Sequence, residues 1–314
     1  MGVRLLKKFL SGLRISGIKK CGINALAGKK IVIDITIYIY KFKINGNLKY
    51  NLSRMCSILK YNNISSLFVF DGDYKNPIKN ETIKDRSLMK KKAFEEYNNI
   101  SDKINLETNT ECKNTMLDRM NKLKGLVVRI NRDDIDTTKK MLKAYGFKYI
   151  TANGEADELC AELVLRKKAW GCLTEDTDLF IYNCTNVIGY LDLNNGTVVC
   201  HNMYNILKNL HMSFEDFTYT CILSGTDYNK LITGNLFENM CNYKLYTRFV
   251  NNHPNISYIE WLVKEKIIND ENLNYILKIR DIYCDNMRQV MDNIPYILIK
   301  NGNTNQYLLK KILN

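Results

Sequence analysis

Histidine is scarce in this chain, and the cysteines are not arranged as metal or redox motifs. The 314 residues include three histidines, and none of the ten cysteines forms a C-x-x-C pair. A zinc site of the usual His and Cys ligands is therefore disfavoured. Most cysteines lie in apolar stretches, as Cys160, Cys172 and Cys221 do. This placement predicts small core residues in a reducing compartment.

Long apolar runs are also missing. No segment is long enough to span a membrane, and the amino terminus lacks the pattern of a signal peptide. The residues that follow Met1-Gly2 lack the Ser or Thr that N-myristoylation favours. These absences predict a soluble, intracellular protein without a membrane partner.

The charge balance is strongly basic. Lys and Arg number 46 against 33 Asp and Glu, which gives a net charge of +13. A basic surface favours a polyanionic partner such as nucleic acid. Enrichment in Lys, Asn, Ile and Tyr is also what an AT-rich genome produces, so charge alone does not decide between these explanations.

Seven acidic residues follow short apolar runs or lie in glycine-containing turns. A carboxylate just beyond a buried parallel strand lies at the carboxyl edge of the sheet, where open α/β folds place their sites. Several such segments at one edge would gather the acids into a single basin. The seven are Asp34, Asp71, Glu155, Asp157, Asp176, Asp178 and Asp227.

Carboxylates this close together repel one another strongly unless cations lie among them. Their hard oxygen ligands suit magnesium or manganese. Each acid also has a plainer explanation. Asp176 and Asp178 fit a polar turn, Glu155 and Asp157 fit the first turn of a helix, and Asp227 fits a helix cap. These explanations do not account for the joint occurrence of the seven acids in this order.

The apolar pattern predicts an α/β fold. Short β-rich runs alternate with helical runs from about residue 29 to 178, which indicates βαβ units and a mostly parallel sheet. Helices are predicted at 135–145 and 156–164, and the chain beyond Asp227 is predicted to be helical. The predicted strands are 31–33, 66–70, 126–130, 148–150 and 171–173, and 187–190 pairs with 197–200 in a hairpin.

Two segments are ambiguous. The β-branched residues from Ile35 to Ile39 favour a strand on propensity alone. Residues 79 to 123 are rich in charged and polar side chains with little core pattern, so they are either a solvated helical excursion or partly disordered.

A basic helical face is predicted directly after Asp71. Asn76-Pro77 is a suitable cap and first helical residue, and Lys79, Arg86 and Lys90 follow at steps of seven and four on one face. Such a face is usually only solvated. Here it follows the Asp71 loop and could reach the phosphate that the metals hold.

These motifs resemble the flap endonuclease and XPG superfamily of structure-specific 5′-nucleases. The resemblance runs from Met1 to about Gly234 and fills all seven of the family's carboxylate positions with acids, Asp157 replacing the usual glutamate. The matching segments, in order, are Met1-Gly2-Val3, Asp34 to Tyr40, Phe70-Asp71-Gly72, Glu155-Ala156-Asp157, Thr174 to Asp178 and Gly225-Thr226-Asp227-Tyr228.

The resemblance implies a PIN-like nuclease domain at residues 1–228, with a helical arch at about 76–123. A helical DNA-binding region of the helix-two-turn-helix type would follow at 229–314 as part of the same structural unit. Family structures also make the stretch after Asp34 helical, against its propensity.

The resemblance further implies two magnesium ions, or manganese. Asp71, Glu155 and Asp157 would serve chiefly one ion and Asp176, Asp178 and Asp227 the other, while Asp34 would act through water. Lys79 and Arg86 would neutralise the target phosphate, Tyr40 would stack on an unpaired base, and Gly2, Lys90 and Gly234 would contact DNA.

The chain also departs from the family pattern. The segment between Asp34 and Asp71 is shorter than in cellular flap endonucleases. After Tyr228 the family has a Gly-x-Gly hairpin followed by basic residues, whereas here Gly234 is followed by Asn235, Leu236, Phe237 and Glu238. No sliding-clamp motif is recognisable at 305–309. We expect a monomer that acts on branched DNA in the nucleus, or in the host cytoplasm if the source is a cytoplasmic DNA virus.

Two kinds of alternative remain open. The same fold could serve a 5′-exonuclease, a junction resolvase or an RNase directed at messenger RNA. The chain could instead be an inactive factor that only binds nucleic acid.

Overall fold

The computed structural model describes residues 2–74, 76–229, 233–284 and 298–313. Its strands form one seven-stranded sheet in the order β1-β7-β6-β5-β2-β3-β4. The strands are β1 Ile18–Gly22, β2 Lys30–Asp34, β3 Ser65–Phe70, β4 Lys148–Thr151, β5 Gly171–Leu173, β6 Asn186–Asp192 and β7 Thr197–Asn202.

Most of the sheet is parallel. Strands β4, β3, β2, β5 and β6 pair in parallel, whereas β7 runs antiparallel to both β6 and β1. From β2 the chain builds outward through β3 to β4 and then returns to add β5 on the other side of β2. The strand order therefore reverses between β2 and β5, which is where open α/β sheets form a binding crevice.

Helices cover both faces of the sheet and extend beyond it. The helices are α1 Leu6–Gly12, α2 Ile35–Ile44, α3 Leu48–Tyr61, α4 Asn80–Ile104, α5 Thr110–Val127, α6 Arg132–Ala144, α7 Ala156–Leu165, α8 Asp178–Ile181, α9 Met203–Leu210, α10 Phe214–Ser224, α11 Leu236–Val250, α12 Tyr258–Lys264, α13 Asp270–Cys284 and α14 Gln306–Leu313. Within the described residues, no helix has the length and apolar character needed to cross a membrane.

Alternate side chains of the central strands point to opposite faces, as strand geometry requires. On one face, Val32 and Leu67 join a core that continues through α7 and into α10 to α13. On the other face, Ile33 and Phe68 pack with α2, α3, α6 and α14. The carboxyl-terminal helices therefore share a hydrophobic core with the sheet.

The segment 298–313 returns to this second face. The Asn301 side chain bonds to the Ser66 amide and the Ile64 carbonyl, at 3.1 and 2.7 Å. The Asn305 amide donates to the Ala144 carbonyl at 2.7 Å, and α14 then packs against α6 with Leu309 buried. The end of the described chain is thus tied to β3 and to the end of α6.

The predicted α/β fold and mostly parallel sheet are confirmed, one predicted strand is wrong, and the strand propensity of Ile35 to Ile39 is overridden. Residues 126–130 are not a strand, because Leu126 and Val127 complete α5 and no sheet neighbour reaches them. The stretch from Ile35 to Ile39 is helical, because Ile35, Tyr38, Ile39 and Phe42 form one buried face at helical spacing. Edge strand β1 was not predicted.

The ambiguous segment 79–123 is helical in the structure. It forms a 3₁₀ turn at Pro77–Lys79 followed by α4 and α5, which pack against each other, and we call residues 76–127 the arch. The predicted Asn76-Pro77 cap is confirmed, since the Asn76 side chain accepts a hydrogen bond from the Ile78 amide.

Candidate active site

A cavity of 610 Å³ lies at the carboxyl edge of the sheet, where the strand order reverses. Six of the seven predicted acids line it, although they lie far apart in the sequence. They come from the end of β2, the turn after β3, the start of α7, the segment after β5 and the loop after α10. The six are Asp34, Asp71, Glu155, Asp157, Asp176 and Asp227.

Asp34 is the most enclosed acid of the strand ends, with 5% of its surface exposed. Burial raises its pKa to about 8, and the charges of Asp71 and Asp176 act in the same direction. The Thr174 hydroxyl donates to Asp34 Oδ2 at 3.2 Å and opposes the shift. The contribution of neighbouring carboxylates to this raised pKa shows that negative charge is concentrated here.

Asp178, the seventh acid, is not among the cavity-lining residues and lies buried at the start of α8, where its amide donates to Asp176 Oδ1 at 3.1 Å. Burial, followed by the charge of Asp176, raises the pKa of Asp178 well above its usual range. Its Oδ1 atom is buried and, among the described residues, has no hydrogen-bond partner. An unpartnered carboxylate oxygen at this position is a free ligand atom.

The start of α7 fixes two more acids. Glu155 precedes the helix, and Asp157 lies in its first turn, where its Oδ1 accepts from the Glu158 amide. Asp71 accepts the Ala156 amide at 2.9 Å. The helix amino terminus thus stabilises part of the negative charge, as the plainer explanation required. That role does not account for the cavity in which the acids meet.

Asp227 is not a helix cap. It follows α10 after Gly225, whose φ of 101° turns the chain, and the next helix α11 is capped by Asn235. The Asp227 carbonyl accepts from Thr82 Oγ1 at 2.9 Å, which joins this loop to the arch.

The arch contributes the cations predicted for the site. Lys79 Nζ contacts Glu155 Oε2 and lies 4.3 Å from the centre of the Tyr228 ring. Arg86 Nη2 contacts Asp227 Oδ1. Lys79 is only 4% exposed. Burial alone would lower the pKa of Lys79, but Asp157, Tyr228 and Glu155 outweigh it and raise the pKa.

Two of the four predicted DNA contacts line the cavity and two do not. Lys90 and Tyr40 line the cavity, and the Tyr40 hydroxyl donates to the Gly125 carbonyl at the end of the arch. Gly2 has φ 79°, and a Cβ there would lie 2.5 Å from Asp176 Oδ1, so only glycine fits beside this acid. Gly234 is not among the cavity-lining residues and lies just before Asn235. Residues 230–232 of the expected duplex-binding hairpin lie outside the described residues.

The donor set fits a hard divalent cation, because every predicted ligand is a carboxylate. The buried Asp178 Oδ1, which has no partner among the described residues, is available to such a cation. As the side chains now lie, however, no group of three His, Cys, Asp or Glu residues in the described chain is arranged to hold a metal ion. Lys79 and Arg86 turn Glu155 and Asp227 toward themselves instead.

Sequence reasoning missed part of the cavity wall. Lys7, Lys41 and Glu175 also line it, with Met89 of the arch. Glu175 directly precedes the Asp-x-Asp segment and Lys41 directly follows Tyr40, so proximity to predicted residues was the available signal. Their contacts with one another depend on tertiary structure.

Two family models match the chain. The XPG N-terminal domain matches residues 1–93, and the XPG I-region matches residues 146–227. Between them lies most of the arch, and the two matched regions contain all seven acids.

Among curated proteins, the chain is 28% identical to flap endonuclease 1 of Cryptosporidium muris over 91% of this chain and 62% of that protein. It is 26% identical to a probable RAD2-like endonuclease, 369L, of invertebrate iridescent virus 6, over 73% of this chain and 67% of the viral protein. The chain therefore spans about 62% of the length of the first relative.

Among solved structures, the catalytic core of Rad2 in complex with DNA substrate superposes with a TM-score of 0.66. The alignment covers 99% of this chain and 93% of that one, at 23% sequence identity. The likeness shows a shared fold, with a PIN-like sheet and carboxyl-terminal helices.

Proposed function

Because the chain belongs to the flap endonuclease and XPG superfamily, we propose that it is a structure-specific 5′-nuclease that hydrolyses DNA at 5′ flaps or branched junctions. Its roles would be in DNA replication, repair or recombination. The names of its relatives support the activity, and the Rad2 complex supports DNA as the partner.

The observation that carries the proposal is the cavity itself. Six acids from five separate segments line one 610 Å³ space, and Lys79, Arg86 and Lys90 line the same space. Clustered carboxylates repel a polyanion such as DNA unless cations lie between the two sets of negative charges. The combination therefore suits a phosphodiester held between hard metal ions and basic side chains.

The residues present would hold two magnesium or manganese ions. We assign Asp71, Glu155 and Asp157 chiefly to one ion, Asp176, Asp178 and Asp227 to the other, and Asp34 to a contact through water. Ions bound there would polarise the phosphate and activate a water molecule for attack.

The chain's own cations would position the substrate. Lys79 and Arg86 now neutralise Glu155 and Asp227, and a phosphate is an equivalent anionic partner for both groups. Transfer of these cations from carboxylate to phosphate would free acid oxygens at the moment that the substrate arrives. Tyr40, at the cavity wall, would stack on an unpaired base.

The carboxyl-terminal region 229–314 would grip duplex DNA, with Gly2 and Gly234 close to the DNA backbone.

A nuclease of this kind works where DNA is copied or repaired, which supports an intracellular location. That location is the nucleus, or host cytoplasm for a cytoplasmic virus. We propose a monomer, which light scattering after size-exclusion chromatography would test.

The test is a cleavage panel on end-labelled DNA in magnesium, with manganese and calcium for comparison. The substrates are a 5′ flap, a nicked duplex, a free 5′ end, a four-way junction and a single-stranded RNA. We expect cleavage of the flap near its junction and a product with a 5′-phosphate. Preferred cleavage of another substrate would assign the chain to an exonuclease, resolvase or RNase role.

Asp176→Asn is the matched variant for the panel. It removes one negative charge with almost no change in shape, so cleavage should fall by roughly a thousandfold while DNA binding persists. If the wild-type protein cleaves no substrate with any divalent ion, the nuclease proposal is wrong.

An inactive nucleic-acid-binding factor is the second candidate. It is favoured by one observation, that Lys79 and Arg86 already occupy two of the acids. Binding to branched DNA with equal affinity in EDTA and magnesium, together with no cleavage, would support it.

A further inference from the structure

Glu175 holds two lysines from different helices at the cavity wall. Its Oε2 lies 3.3 Å from Lys7 Nζ of α1, and its Oε1 lies 3.2 Å from Lys41 Nζ of α2. The Glu175 side chain is 12% exposed, whereas those of Lys7 and Lys41 are 45% and 43% exposed. The carboxylate is thus the enclosed centre of the group, and the two ammonium groups face solvent.

A bulge in β6 brings Tyr190 to the same group. The Tyr190 amide donates to Glu175 Oε1 at 3.0 Å, and Tyr190 has φ 53°, a left-handed conformation that is unfavourable for tyrosine. The register of β6 against β7 is interrupted at this point. Bulges of this kind redirect side chains near functional sites. Here the Tyr190 ring, 41% exposed, lies 5.9 Å from Lys7 Nζ.

We expect this arrangement to contribute little to stability. Ion pairs to lysines that are almost half exposed contribute little to folding, because solvent screens them and the long side chains lose entropy. A left-handed tyrosine is itself unfavourable. Two weak ion pairs and a strained residue around one carboxylate therefore indicate a binding role.

The charge and position of the group suit a phosphodiester. Two ammonium groups and one carboxylate carry a net charge of +1, which matches a single backbone phosphate. All three side chains line the cavity that also holds the acids, and Glu175 directly precedes Asp176. Lys79 and Arg86 enter the same cavity from the arch, so the two pairs of cations come from different elements.

We propose that Lys7 and Lys41, held together by Glu175, bind a second backbone phosphate of the substrate, next to the phosphate that Lys79 and Arg86 would hold. Two phosphate-binding positions in one cavity would fix the direction in which the DNA strand crosses the acids. Glu175 is a positioning residue here, since it acts through the lysines. The inference rests on the proposed function for the identity of the substrate.

The test measures the salt dependence of flap-DNA binding without cleavage, in calcium or EDTA. Removal of one phosphate contact lowers the slope of log K against log salt by about 0.7 to 0.9. We expect Lys7→Gln with Lys41→Gln to lower the slope by that amount and to weaken binding by roughly fivefold or more. Lys29→Gln with Lys30→Gln, at the opposite end of β2, makes the same charge change and should leave the slope unchanged.

A triple variant separates contact from repulsion. Removal of both lysines exposes the charge of Glu175, which would repel DNA even without a phosphate contact. Addition of Glu175→Gln removes that charge. If the slope and affinity stay low in the triple variant, the lysines bind phosphate; if both return to wild-type values, the proposal is overturned.

A neutral methylphosphonate placed at successive positions of the DNA strand locates the phosphate that Lys7 and Lys41 bind. In the wild type, one position beside the cleaved bond should weaken binding, and in the triple variant the same substitution should have no effect. Equal effects in both proteins at every position would overturn the proposal.

Melting curves accompany each variant, because the group joins α1, α2 and β6. If the double variant does not fold, Lys7→Gln and Lys41→Gln serve singly, since each still removes one ammonium group and should lower the slope. Cleavage by the wild type is scored separately. A wild type that cleaves nothing defeats the nuclease proposal, whereas an active wild type with unchanged slopes in the variants defeats this inference alone.

Discussion

The sheet and the arch hold the same cavity by different means. The central strands are packed on both faces, with Val32, Leu67 and Phe68 fully buried. Helix α4 runs for 25 residues with Ala93 as its buried side chain, and α5 for 18 residues with Leu123. The acids therefore lie on a rigid base, and the cations lie on a segment with little hydrophobic support.

The arch is joined to the site largely by polar contacts. Lys79 meets Glu155, Thr82 and Arg86 meet Asp227, and Gly125 accepts from Tyr40. Each contact involves an acid of the cavity or a residue of its wall. Segments that are held by few apolar contacts open at low free-energy cost. The arch should therefore open at a lower free-energy cost than the sheet that carries the acids.

The sharpest way to break the comparison is to remove one apolar side chain from each region. Leu67→Ala in β3 should lower the free energy of unfolding by about 2 to 5 kcal/mol, since it leaves a cavity in the core. Phe94→Ala on α4, where the ring is 49% exposed, should change it by less than about 0.5 kcal/mol. Urea denaturation measures both, and equal decreases would show that the arch is as firmly packed as the sheet.

Lys79→Met tests the chemical role of the arch. Loss of one preorganised cation should lower the cleavage rate by about a hundredfold to a thousandfold. Single-turnover cleavage of the flap measures this. Lys84→Met, an exposed position on α4 directly after Lys79, is the matched control and should keep nearly full activity. Equal rates for the two variants would remove Lys79 from the mechanism.

Arg119→Gln tests how the two arch helices are joined. Arg119 binds Glu96 through two nitrogens, Nε at 2.5 Å and Nη2 at 2.8 Å. Without this pair, backbone amides of α4 and α5 should exchange hydrogen faster, while those of β2 and β3 should not change. Lys122→Gln, exposed on α5, is the control. Unchanged exchange in the arch would mean that other contacts join the helices.

The smallest expected effect lies in the sheet, at His201. Burial lowers its pKa, although the Val187 carbonyl and the charge of Glu175 oppose the shift. The unfolded chain therefore binds a proton more readily, so stability should fall as pH drops below about 6.5 toward the lower folded pKa. His201→Gln should flatten this part of the stability curve.

The positions of the acids followed from sequence because they depend on local pattern. Asp34 and Asp71 end buried strands, and parallel strands bring their carboxyl ends together whatever the rest of the chain does. The order of the motifs then pointed to the superfamily. Strand β1 escaped notice because Ile18 to Gly22 is a short edge strand with two exposed lysines and little alternation.

Sequence reasoning was insufficient where tertiary contacts determine the local structure. The alternate isoleucines from Ile35 to Ile39 satisfy a strand pattern, yet the helix wins because it buries Tyr38 and Phe42 on the same face. The partners of Glu175 could not be predicted, since Lys7 and Lys41 meet it only after α1 and α2 have docked. Contacts between exposed side chains leave no periodic trace in a sequence.

The tie between residues 301–305 and the sheet has a consequence for biosynthesis. Asn301 supplies hydrogen bonds to the start of β3, and Leu309 covers a face that α6 shares with that strand. A nascent chain lacks both until some 240 further residues have followed β3 out of the ribosome. We expect the half-made protein to keep this flank of its sheet open to chaperones, and to close it only late in translation.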